Sequence, residues 1–501
     1  MAPRDTVFDI IFNEKKNVFI TAGGGSGKSY LLQEIYSTAL RRGFRPKEVT
    51  LVSTTGISAY NIGGQTIHSW CGILLPHGIT EMDSDTLQST VSSIVRKAVM
   101  RKQVLQVKQS KLLLIDEVSM LGGFYLELLD KVCRTVRKCE KPLGGLQVVM
   151  TGDMFQLQSV GDVFLFESEV WDELKCVYFV LQTFYRFNDP GWTALLSRCR
   201  LGELTSDDHN LLRERVMTEE EFETKTEWNG SSIRPTMLLP THQQVDKYNQ
   251  KALDQLPSDL QLFVARDAVV RVLQSETKPE EREPQPCGPD TVKKINSFFP
   301  IDHSLQIKVG CQVMLRRNLC VEAGLVNGSR GIVTCVQRAP YAIQVAFERY
   351  ESPEECPIPW DILGVSADQL ALATTGRYSS NTEWIFPVEF SASELVSTFP
   401  RRLNAREFET VREVMEYTRF QFPLTLSASV TIHSCQGVTL SSIIVDIGKR
   451  IFSAGQSYVA LSRCKSMDGV YILNLDTKKI RADARSKEYE RKIYDRAIFI
   501  E

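Results

Sequence analysis

The chain lacks the features that mark membrane, secreted and zinc-binding proteins. It contains no run of about eighteen apolar residues, the minimum for a membrane-spanning helix. Its opening stretch, MAPRDTVFDIIFNEKK, has no apolar segment of the secretory-signal type. Its 12 cysteines include no CxxC pair and no Cys/His cluster with zinc spacing. We therefore expect an intracellular protein in a reducing compartment, either in the nucleus or in a host cell if the chain is viral.

The chain also lacks a strong net charge. Its 59 lysines and arginines and 61 acids give a net charge of -2 at pH 7. This balance excludes a uniformly basic coat for nucleic acid, but it leaves room for a basic groove. With 501 residues, 43% of them hydrophobic, the chain is predicted to be a soluble globular protein of more than one domain.

Short apolar strands that alternate with helices are predicted near both ends of the chain. The predicted strands cover residues 17–21, 48–53, 111–115, 146–150, 443–447 and 469–473. Apolar strands separated by helices are typical of a parallel sheet covered on both faces. We therefore expect two α/β lobes.

Two regions depart from this pattern. Residues 86–115 contain no acid but six basic residues, which are Arg96, Lys97, Arg101, Lys102, Lys108 and Lys111. They predict a small helical insertion at about 75–108 with a basic face, and a solvated face without a partner is the alternative. The second region, within residues 306–410, has short strands and Gly-rich turns. They predict an inserted β-barrel at 306–410.

A glycine-rich segment, AGGGSGKS at residues 22–29, follows the first predicted strand and begins a helix. This is the context of a phosphate-binding loop, in which backbone N–H groups approach the phosphates. Lys28 would reach the β and γ phosphates, and the Ser29 hydroxyl would bind Mg²⁺. Ala22 replaces the usual first glycine, so a simple Gly-rich turn remains the alternative for this segment alone. The predicted nucleotide-binding residues here are Gly23, Gly24, Gly25, Ser26, Gly27, Lys28 and Ser29.

Polar residues at the ends of two further strands complete the predicted site. Asp116 would hold the Mg²⁺ shell and Glu117 would polarise the attacking water. Both follow the strand at 111–115, and parallel sheets bind ligands at the carboxyl ends of their strands. Gln156 lies just beyond the strand at 146–150 and would bind the γ-phosphate or its water; an exposed turn amide is the alternative.

Taken in order, these motifs resemble those of superfamily 1B DNA helicases of the Pif (petite integration frequency) branch, with RecD as a more distant relative. The resemblance extends over about residues 17–475. It rests on STTGISAYNIGGQTIHSW (53–70), LIDEVSML (114–121), LVNGSRGIV (325–333), TIHSCQGVTL (431–440) and YVALSRCKS (458–466). It implies two tandem RecA-like lobes with a helical or wedge insertion in the first and an SH3-like β-barrel insertion in the second. The expected boundaries are 1–184 for the first lobe, 185–305 and 411–501 for the second, and 306–410 for the barrel.

The resemblance also assigns roles that the residues alone do not. Arg186 in FYRF and Arg463 in ALSR match two arginines that reach the γ-phosphate, where such a finger contributes roughly 10³–10⁵ in kcat. Gln436 and Gly437 match a pair that couples the DNA groove to ATP. The implied catalytic set is Lys28, Glu117, Gln156, Arg186 and Arg463.

Several departures from the family pattern are visible, and two of them affect the predicted nucleotide and DNA contacts. The family's adenine-reading glutamine has no counterpart in residues 4–9, and Ser434 stands where a lysine is usual.

A single strand of DNA would be held by contacts to its backbone and by stacking of its bases, the latter contributing about 1–3 kcal/mol per base. The residues implied by the family motifs are Thr54, Thr55, Gln65, Thr66, His68 and Trp70 in the first lobe and Thr431, His433 and Ser434 in the second. For Trp70 and His68 the alternative is a place in the core.

The resemblance implies an ATP-dependent DNA helicase that moves 5′-to-3′ on single-stranded DNA and unwinds duplexes in replication, repair or recombination, telomere maintenance included. The alternative is a DNA-stimulated ATPase that binds or remodels DNA without processive unwinding. The expected cofactors are ATP and Mg²⁺. The expected partners are single-stranded and forked DNA, and we expect a monomer with no membrane contact and no appended domain.

Overall fold

The computed structural model describes most of the chain. The described residues are 3–73, 88, 90–96, 103–158, 161–187, 189–228, 233–274, 280–281, 285–299, 301–320, 325–338, 341–348, 382–402 and 408–500. The insertion predicted at about 75–108 lies largely outside these residues, as does much of the region predicted as a barrel. None of the helices described is long and apolar enough to cross a membrane.

A parallel sheet forms the centre of the first lobe. Its strands from this part of the chain are β1 (Val18–Thr21), β2 (Val49–Ser53), β3 (Gln65–Thr66), β4 (Leu112–Asp116), β5 (Gln147–Gly152) and β6 (Val177–Leu181). They lie in the order β6-β1-β5-β4-β2-β3, and every neighbouring pair is parallel. All residues of β1 and β4 are buried, as expected for strands covered on both faces.

Helices cover both faces of this sheet. They are α1 (Pro3–Phe12), α2 (Lys28–Arg41), α3 (Gly56–Asn61), α4 (Ile67–Cys71), α5 (Gln103–Gln109), α6 (Gly123–Arg137) and α7 (Glu169–Glu173), and residues 90–96 are also helical. Helix α6 buries Leu126, Leu129, Val132 and Val136 at helical spacing. Burial of each such side chain contributes about 1.5–3 kcal/mol, which fixes α6 against the sheet.

The second lobe begins with helices and one strand. These elements are α8 (Pro190–Leu201), α9 (Ser206–Arg213), α10 (Glu219–Thr224), β7 (Thr236–Leu239) and α11 (His242–Asp254). Asp189 caps α8, because its side chain accepts hydrogen bonds from the N–H groups of Gly191 and Trp192.

An antiparallel insertion follows α11. It contains α12 (Pro289–Phe298) and the strands β8 (Gln261–Val264), β9 (Arg266–Gln274), β10 (Glu280–Glu281), β11 (Gln285–Pro286), β12 (Ser304–Ile307), β13 (Gln312–Leu315), β14 (Arg330–Arg338), β15 (Tyr341–Phe347), β16 (Thr382–Ile385), β17 (Val388–Arg402), β18 (Phe408–Gln421) and β19 (Leu424–Leu426). One sheet has the order β16-β15-β14-β13-β19, a second has β10-β9-β18-β17 with β11 on β9, and β8 pairs with β12. The antiparallel structure starts before residue 306 because β9 pairs with β18, more than a hundred residues later.

The chain then completes the sheet of the second lobe. The remaining elements are β20 (Ser429–Thr431), β21 (Ile443–Ile447), α13 (Gln456–Leu461) and β22 (Val470–Leu475). The strand order is β20-β7-β21-β22, and all pairs are parallel. The predicted combination of two parallel α/β lobes with a β insertion in the second is therefore present.

The last described elements return to the first lobe. They are α14 (Ala484–Tyr494) and β23 (Ile498–Ile500), and β23 pairs in parallel with β6 to extend the first sheet to seven strands. The indole N–H of Trp171 donates to the Tyr489 hydroxyl at 2.6 Å, and the Tyr489 ring stacks on Phe166. The predicted boundaries place this segment in the second lobe, whereas its apolar residues pack on the first.

Candidate active site

The phosphate-binding loop lies between β1 and α2. Gly25 and Gly27 have φ angles of +85° and +84°, a conformation that glycine adopts without strain. The Lys28 ammonium is buried and donates to the carbonyls of Ala22 at 2.8 Å and Gly23 at 2.9 Å. Burial lowers the pKa of Lys28, while nearby carboxylates act in the opposite direction. A buried cation held by carbonyls and, at 3.5 Å, by the Ser26 hydroxyl suits an anionic ligand at this loop.

Asp116 lies at the carboxyl end of β4, directly beside the loop. Its Oδ2 accepts a hydrogen bond from the Ser29 hydroxyl at 2.6 Å, and its Oδ1 accepts one from Thr151 at 2.5 Å. The two predicted Mg²⁺ ligands, Ser29 and Asp116, are therefore in contact. A hydroxyl and one carboxylate leave most positions of an octahedral ion to water and phosphate, as Mg²⁺ prefers.

Glu117 has a strained backbone and an unusual side-chain environment. Its φ is +52°, which is uncommon for a residue other than glycine. Burial, followed by the charge of Asp116, raises the pKa of its carboxyl. Its Oε2 has no hydrogen-bond partner within the described part of the chain, and the same holds for Gln156 Oε1 and for both polar atoms of the Gln436 side chain. Buried polar atoms are nearly always paired, so these atoms fit a site that binds phosphate and water.

Two arginines of the second lobe lie against the phosphate loop. A Cβ added at Gly24 would be 3.4 Å from Arg463 Nη2, and one added at Gly25 would be 2.5 Å from the Cβ of Arg186. Arg186 donates to a backbone carbonyl, and Arg463 donates to two backbone carbonyls and a hydroxyl. Within the described part of the chain, neither guanidinium hydrogen-bonds to a carboxylate. Burial, followed by the charge of Arg463, lowers the pKa of Arg186 to about 9. A polyphosphate would relieve this repulsion between the half-buried Arg186 and the buried Arg463.

A pocket of about 440 Å³ adjoins the loop on its other side. It is lined by Ser26, Gly27, Tyr30, Leu31, Leu181, Thr183, Tyr185 and Ile500. Tyr30 and Tyr185 expose about two thirds of their surface, so their rings are available for stacking. The sequence analysis did not find this pocket, because three separate segments of the chain form it and no local pattern connects them.

The predicted DNA contacts of the first lobe mostly serve local structure here. Thr54 donates to the Glu117 carbonyl at 3.0 Å, and Gln65 donates to Gln106 at 3.1 Å. Thr55 and Thr66 accept hydrogen bonds from backbone N–H groups at the starts of α3 and α4. These contacts fix the loops beside the active site.

The two aromatic residues of this group lie mainly in the interior. Trp70 is fully buried, in agreement with the core alternative, and its ring is not available to a base in this structure. His68 packs on Tyr125 with 4.5 Å between the ring centroids, and burial lowers its pKa. A direct contact of either ring with DNA stays a prediction.

The candidate residues of the second lobe lie where three segments converge. The hydroxyls of Thr431 and Ser434 are 2.5 Å apart, and burial lowers the pKa of His433. The following Gly437, with φ of +77°, is close to Ser58 of α3. In the turn before β14, the Asn327 amide donates to the Asn61 side chain of α3 at 3.2 Å. The two lobes and the insertion thus meet along one line.

A phosphate-binding loop with two acids at a strand end, facing two arginines from a second α/β lobe, defines a phosphate-loop nucleoside triphosphatase of the two-lobed helicase class. The comparisons with known proteins identify the family. The family model described as "PIF1-like helicase" matches residues 4–195. A second family model, described as "DNA helicase Pif1, 2B domain", matches residues 292–336. The chain belongs to the PIF1-like helicase family.

Relatives with curated names are similar over nearly the whole chain. The ATP-dependent DNA helicase RRM3 of Saccharomyces cerevisiae is 30% identical, with 98% of this chain and 67% of that protein aligned. The ATP-dependent DNA helicase PIF1 of Xenopus laevis is 29% identical, with 93% of this chain and 60% of that protein aligned. The predicted enzyme class, an ATP-dependent DNA helicase, is thereby confirmed.

Solved structures share the fold. The Pif1 helicase from Candida albicans has a TM-score of 0.67 and 25% identity, with 98% of this chain and 99% of that chain covered. A Bacteroides Pif1 in complex with ADP-AlF4 has a TM-score of 0.68 and 23% identity, with 99% and 97% covered. The predicted fold class, two RecA-like lobes with a β insertion in the second, is confirmed.

Proposed function

We propose that this chain hydrolyses ATP to move 5′-to-3′ along single-stranded DNA and to separate duplexes ahead of it. The observation that carries the proposal is the position of Arg186 and Arg463. Both belong to the second lobe and lie on the phosphate loop of the first. A site that is complete only when two lobes meet can couple each hydrolysis event to a movement between them.

Within this site we propose a separate task for each side chain. Lys28 leaves its loop carbonyls to bind the β and γ phosphates, and Arg186 and Arg463 stabilise the charge that develops on the γ-phosphate. Glu117 accepts the proton of the attacking water, a task that its raised pKa favours, and Gln156 orients that water. Ser29 and Asp116 would hold Mg²⁺, which would neutralise negative charge on the phosphates. Gln436 and Gly437 would contact the phosphates of ATP from the second lobe.

We propose that the nucleobase occupies the pocket between Tyr30 and Tyr185. The phosphate loop forms one side of the pocket, and Leu181 and Ile500 supply an apolar floor. The family glutamine that reads adenine has no counterpart in residues 4–9. Stacking between rings would hold the base without it.

Single-stranded and forked DNA are the proposed partners. Bacteroides Pif1 has been solved bound to ssDNA, with a TM-score of 0.57 to this chain. A Pif1 helicase structure from a study of DNA unwinding at forked dsDNA has a TM-score of 0.56. We propose that the single strand binds where three segments converge, and we call this line the track. The segments are α3, the turn at 326–329 and the loop at 431–438. The track would bring the two sets of predicted contacts, Thr54, Thr55, Gln65, Thr66, His68 and Trp70 with Thr431, His433 and Ser434, along one strand. The 5′-to-3′ polarity of movement follows from the family motifs.

We also propose the domain boundaries given above, at 1–184, 185–305, 306–410 and 411–501. To these we add that α14 and β23 return to the first lobe.

The experiment compares strand separation on two duplexes that differ only in the tail, one with a 5′ and one with a 3′ single-stranded tail. With ATP and Mg²⁺ we expect separation of the first alone. ATP turnover stimulated by single strands without any separation would favour the alternative of a DNA-stimulated ATPase that does not unwind.

A further inference from the structure

A buried cluster of four polar side chains joins the phosphate loop to both lobes. Its members are Asp153 after β5, Arg200 in α8, Tyr458 in α13 and Glu490 in α14, and we call it the Asp153 cluster. None of the four is more than 8% exposed. The roles proposed above use none of them, so their burial together beside the active site needs a separate explanation.

The Asp153 carboxylate is the centre of this cluster. Its Oδ1 accepts a hydrogen bond from Arg200 Nε at 2.9 Å, and its Oδ2 accepts one from the Tyr458 hydroxyl at 3.0 Å. The Gln156 amide approaches the same Oδ2 at 3.4 Å. The Tyr458 oxygen in turn accepts from the N–H of Gly24 at 2.8 Å. A continuous chain of hydrogen bonds therefore leads from Arg200 to the phosphate loop.

Arg200 is fixed from both sides. Its Nη1 lies 2.6 Å from Glu490 Oε1, and its guanidinium lies over the Phe155 ring at 4.3 Å from the centroid. Burial acts to lower the pKa of Arg200, but the charges of Asp153 and Glu490 outweigh it and raise the pKa. A charged, planar group held between two acids has one orientation, and its partners are oriented with it.

We propose that Arg200 is a positioning residue for hydrolysis, which fixes the Asp153 carboxylate and through it the Tyr458 hydroxyl at Gly24 and the Gln156 amide. A Cβ added at Gly24 would also lie 3.4 Å from Arg463 Nη2, so the cluster acts at the part of the loop that faces the arginine proposed for the γ-phosphate. Asp153 belongs to the first lobe, whereas Arg200 and Tyr458 belong to the second. The cluster therefore forms only when the two lobes are in contact. In that state it orients the groups around the attacking water. This proposal rests on the proposed function, ATP hydrolysis at this site.

The first test is the pair of variants Arg200→Lys and Tyr458→Phe, measured as ATP turnover stimulated by single-stranded DNA. Lysine keeps the charge but cannot reach both acids, and phenylalanine removes only the hydroxyl. We expect kcat to fall about 10- to 100-fold in each while KM for ATP stays within about 3-fold, because misplaced groups affect the transition state more than binding.

The matched control is Arg198→Lys in the same helix, since Arg198 pairs with Asp208 through two hydrogen bonds of 2.6 and 2.7 Å. The control should keep the wild-type kcat.

The double variant separates a positioning role from a general loss of packing. If Arg200 acts through Asp153 on Tyr458, the double variant loses no more activity than the worse single variant, because residues that act as a unit are not additive. Losses that multiply would overturn the proposal, as would wild-type kcat in both single variants.

Melting temperatures show whether each variant folds. Should Arg200→Lys fail to fold, Glu490→Gln takes its place, because it keeps the side-chain shape and weakens only the outer hold on Arg200. A lowered kcat with unchanged KM in Glu490→Gln supports the proposal, and wild-type kcat in both Glu490→Gln and Tyr458→Phe overturns it. A wild-type protein without DNA-stimulated ATP turnover would instead contradict the proposed function, before any variant is compared.

Discussion

At the scale of single residues, the phosphate loop holds its lysine in place before any phosphate arrives. The Lys28 ammonium is buried against the carbonyls of Ala22 and Gly23, while Ser29 and Thr151 hold Asp116. Asp116 is thereby oriented before ATP binds, whereas Lys28 has to exchange its loop carbonyls for phosphate oxygens. Their replacement should therefore affect turnover more than folding.

Lys28→Ala should abolish ATP turnover and leave binding of single-stranded DNA largely intact. Among the described residues, the Lys28 ammonium hydrogen-bonds to groups of the phosphate loop, whereas the proposed track lies at α3 and the loop at 431–438. Steady-state ATP hydrolysis and fluorescence anisotropy with a labelled oligonucleotide measure the two properties. Normal turnover in this variant would refute the site assignment.

Gly25→Ala should abolish turnover for a different reason. Gly25 has φ of +85°, and an added Cβ would lie 2.5 Å from the Cβ of Arg186. Both the loop and the approach of the second lobe would be disturbed. Gly43→Ala is the matched control, since Gly43 also has positive φ but nothing lies within 4 Å of its added Cβ. The control should lose a little stability and keep its turnover; equal turnover in both variants would contradict the close approach of Arg186.

At the scale of elements, β23 extends the first sheet and also completes the proposed base pocket. Ile500 is buried and lines this pocket, while its neighbour Phe499 points to the other face and is 41% exposed. A strand far from the phosphate loop in sequence thus contributes to nucleotide binding. The two neighbouring residues offer a test of that contribution.

Ile500→Asp should lower the melting temperature and raise KM for ATP, because a carboxylate in an apolar pocket floor costs stability and disfavours a base. Phe499→Asp is the control on the same strand, and it should leave KM unchanged. Thermal unfolding and ATP-dependent turnover curves provide both quantities. Equal KM values in the two variants would remove β23 from the nucleotide site.

Elements built from local patterns were predictable, whereas those built from distant pairings were not. The strands β1, β4 and β5 and the residues Lys28 and Asp116 follow from short runs with a clear physical signature. The β9–β18 pairing and the return of β23 join segments more than a hundred residues apart, for which one sequence carries no pairing signal. The Asp153 cluster escaped notice for the same reason, since its four members lie on four elements.

At the scale of the whole molecule, the two lobes and the insertion share buried polar contacts. Arg330 of β14 donates to Thr236 of β7 at 3.2 Å and to Ser442, just before β21, at 2.8 Å. Asn327 contacts Asn61 of the first lobe. Movements of the lobes would therefore be passed on to the insertion, as a motor requires.

Arg463→Ala should reduce kcat by roughly 10³-fold or more and change DNA affinity little. Its guanidinium is buried beside the phosphate loop and hydrogen-bonds to carbonyls of its own lobe. Turnover at saturating ATP measures the loss, and oligonucleotide binding without nucleotide is the control. A loss of DNA binding with unchanged kcat would place Arg463 in the track and not in the active site.

The central claim is that ATP hydrolysis drives directional movement on one strand, and displacement of streptavidin from a biotinylated oligonucleotide tests it most directly. Biotin is placed at the 3′ end or the 5′ end of the same oligonucleotide, and release is followed with ATP and Mg²⁺, with Lys28→Ala as the inactive control. A 5′-to-3′ motor releases streptavidin from the 3′ end faster than from the 5′ end, and only when Lys28 is present. Equal release from both ends during rapid ATP hydrolysis would contradict the account.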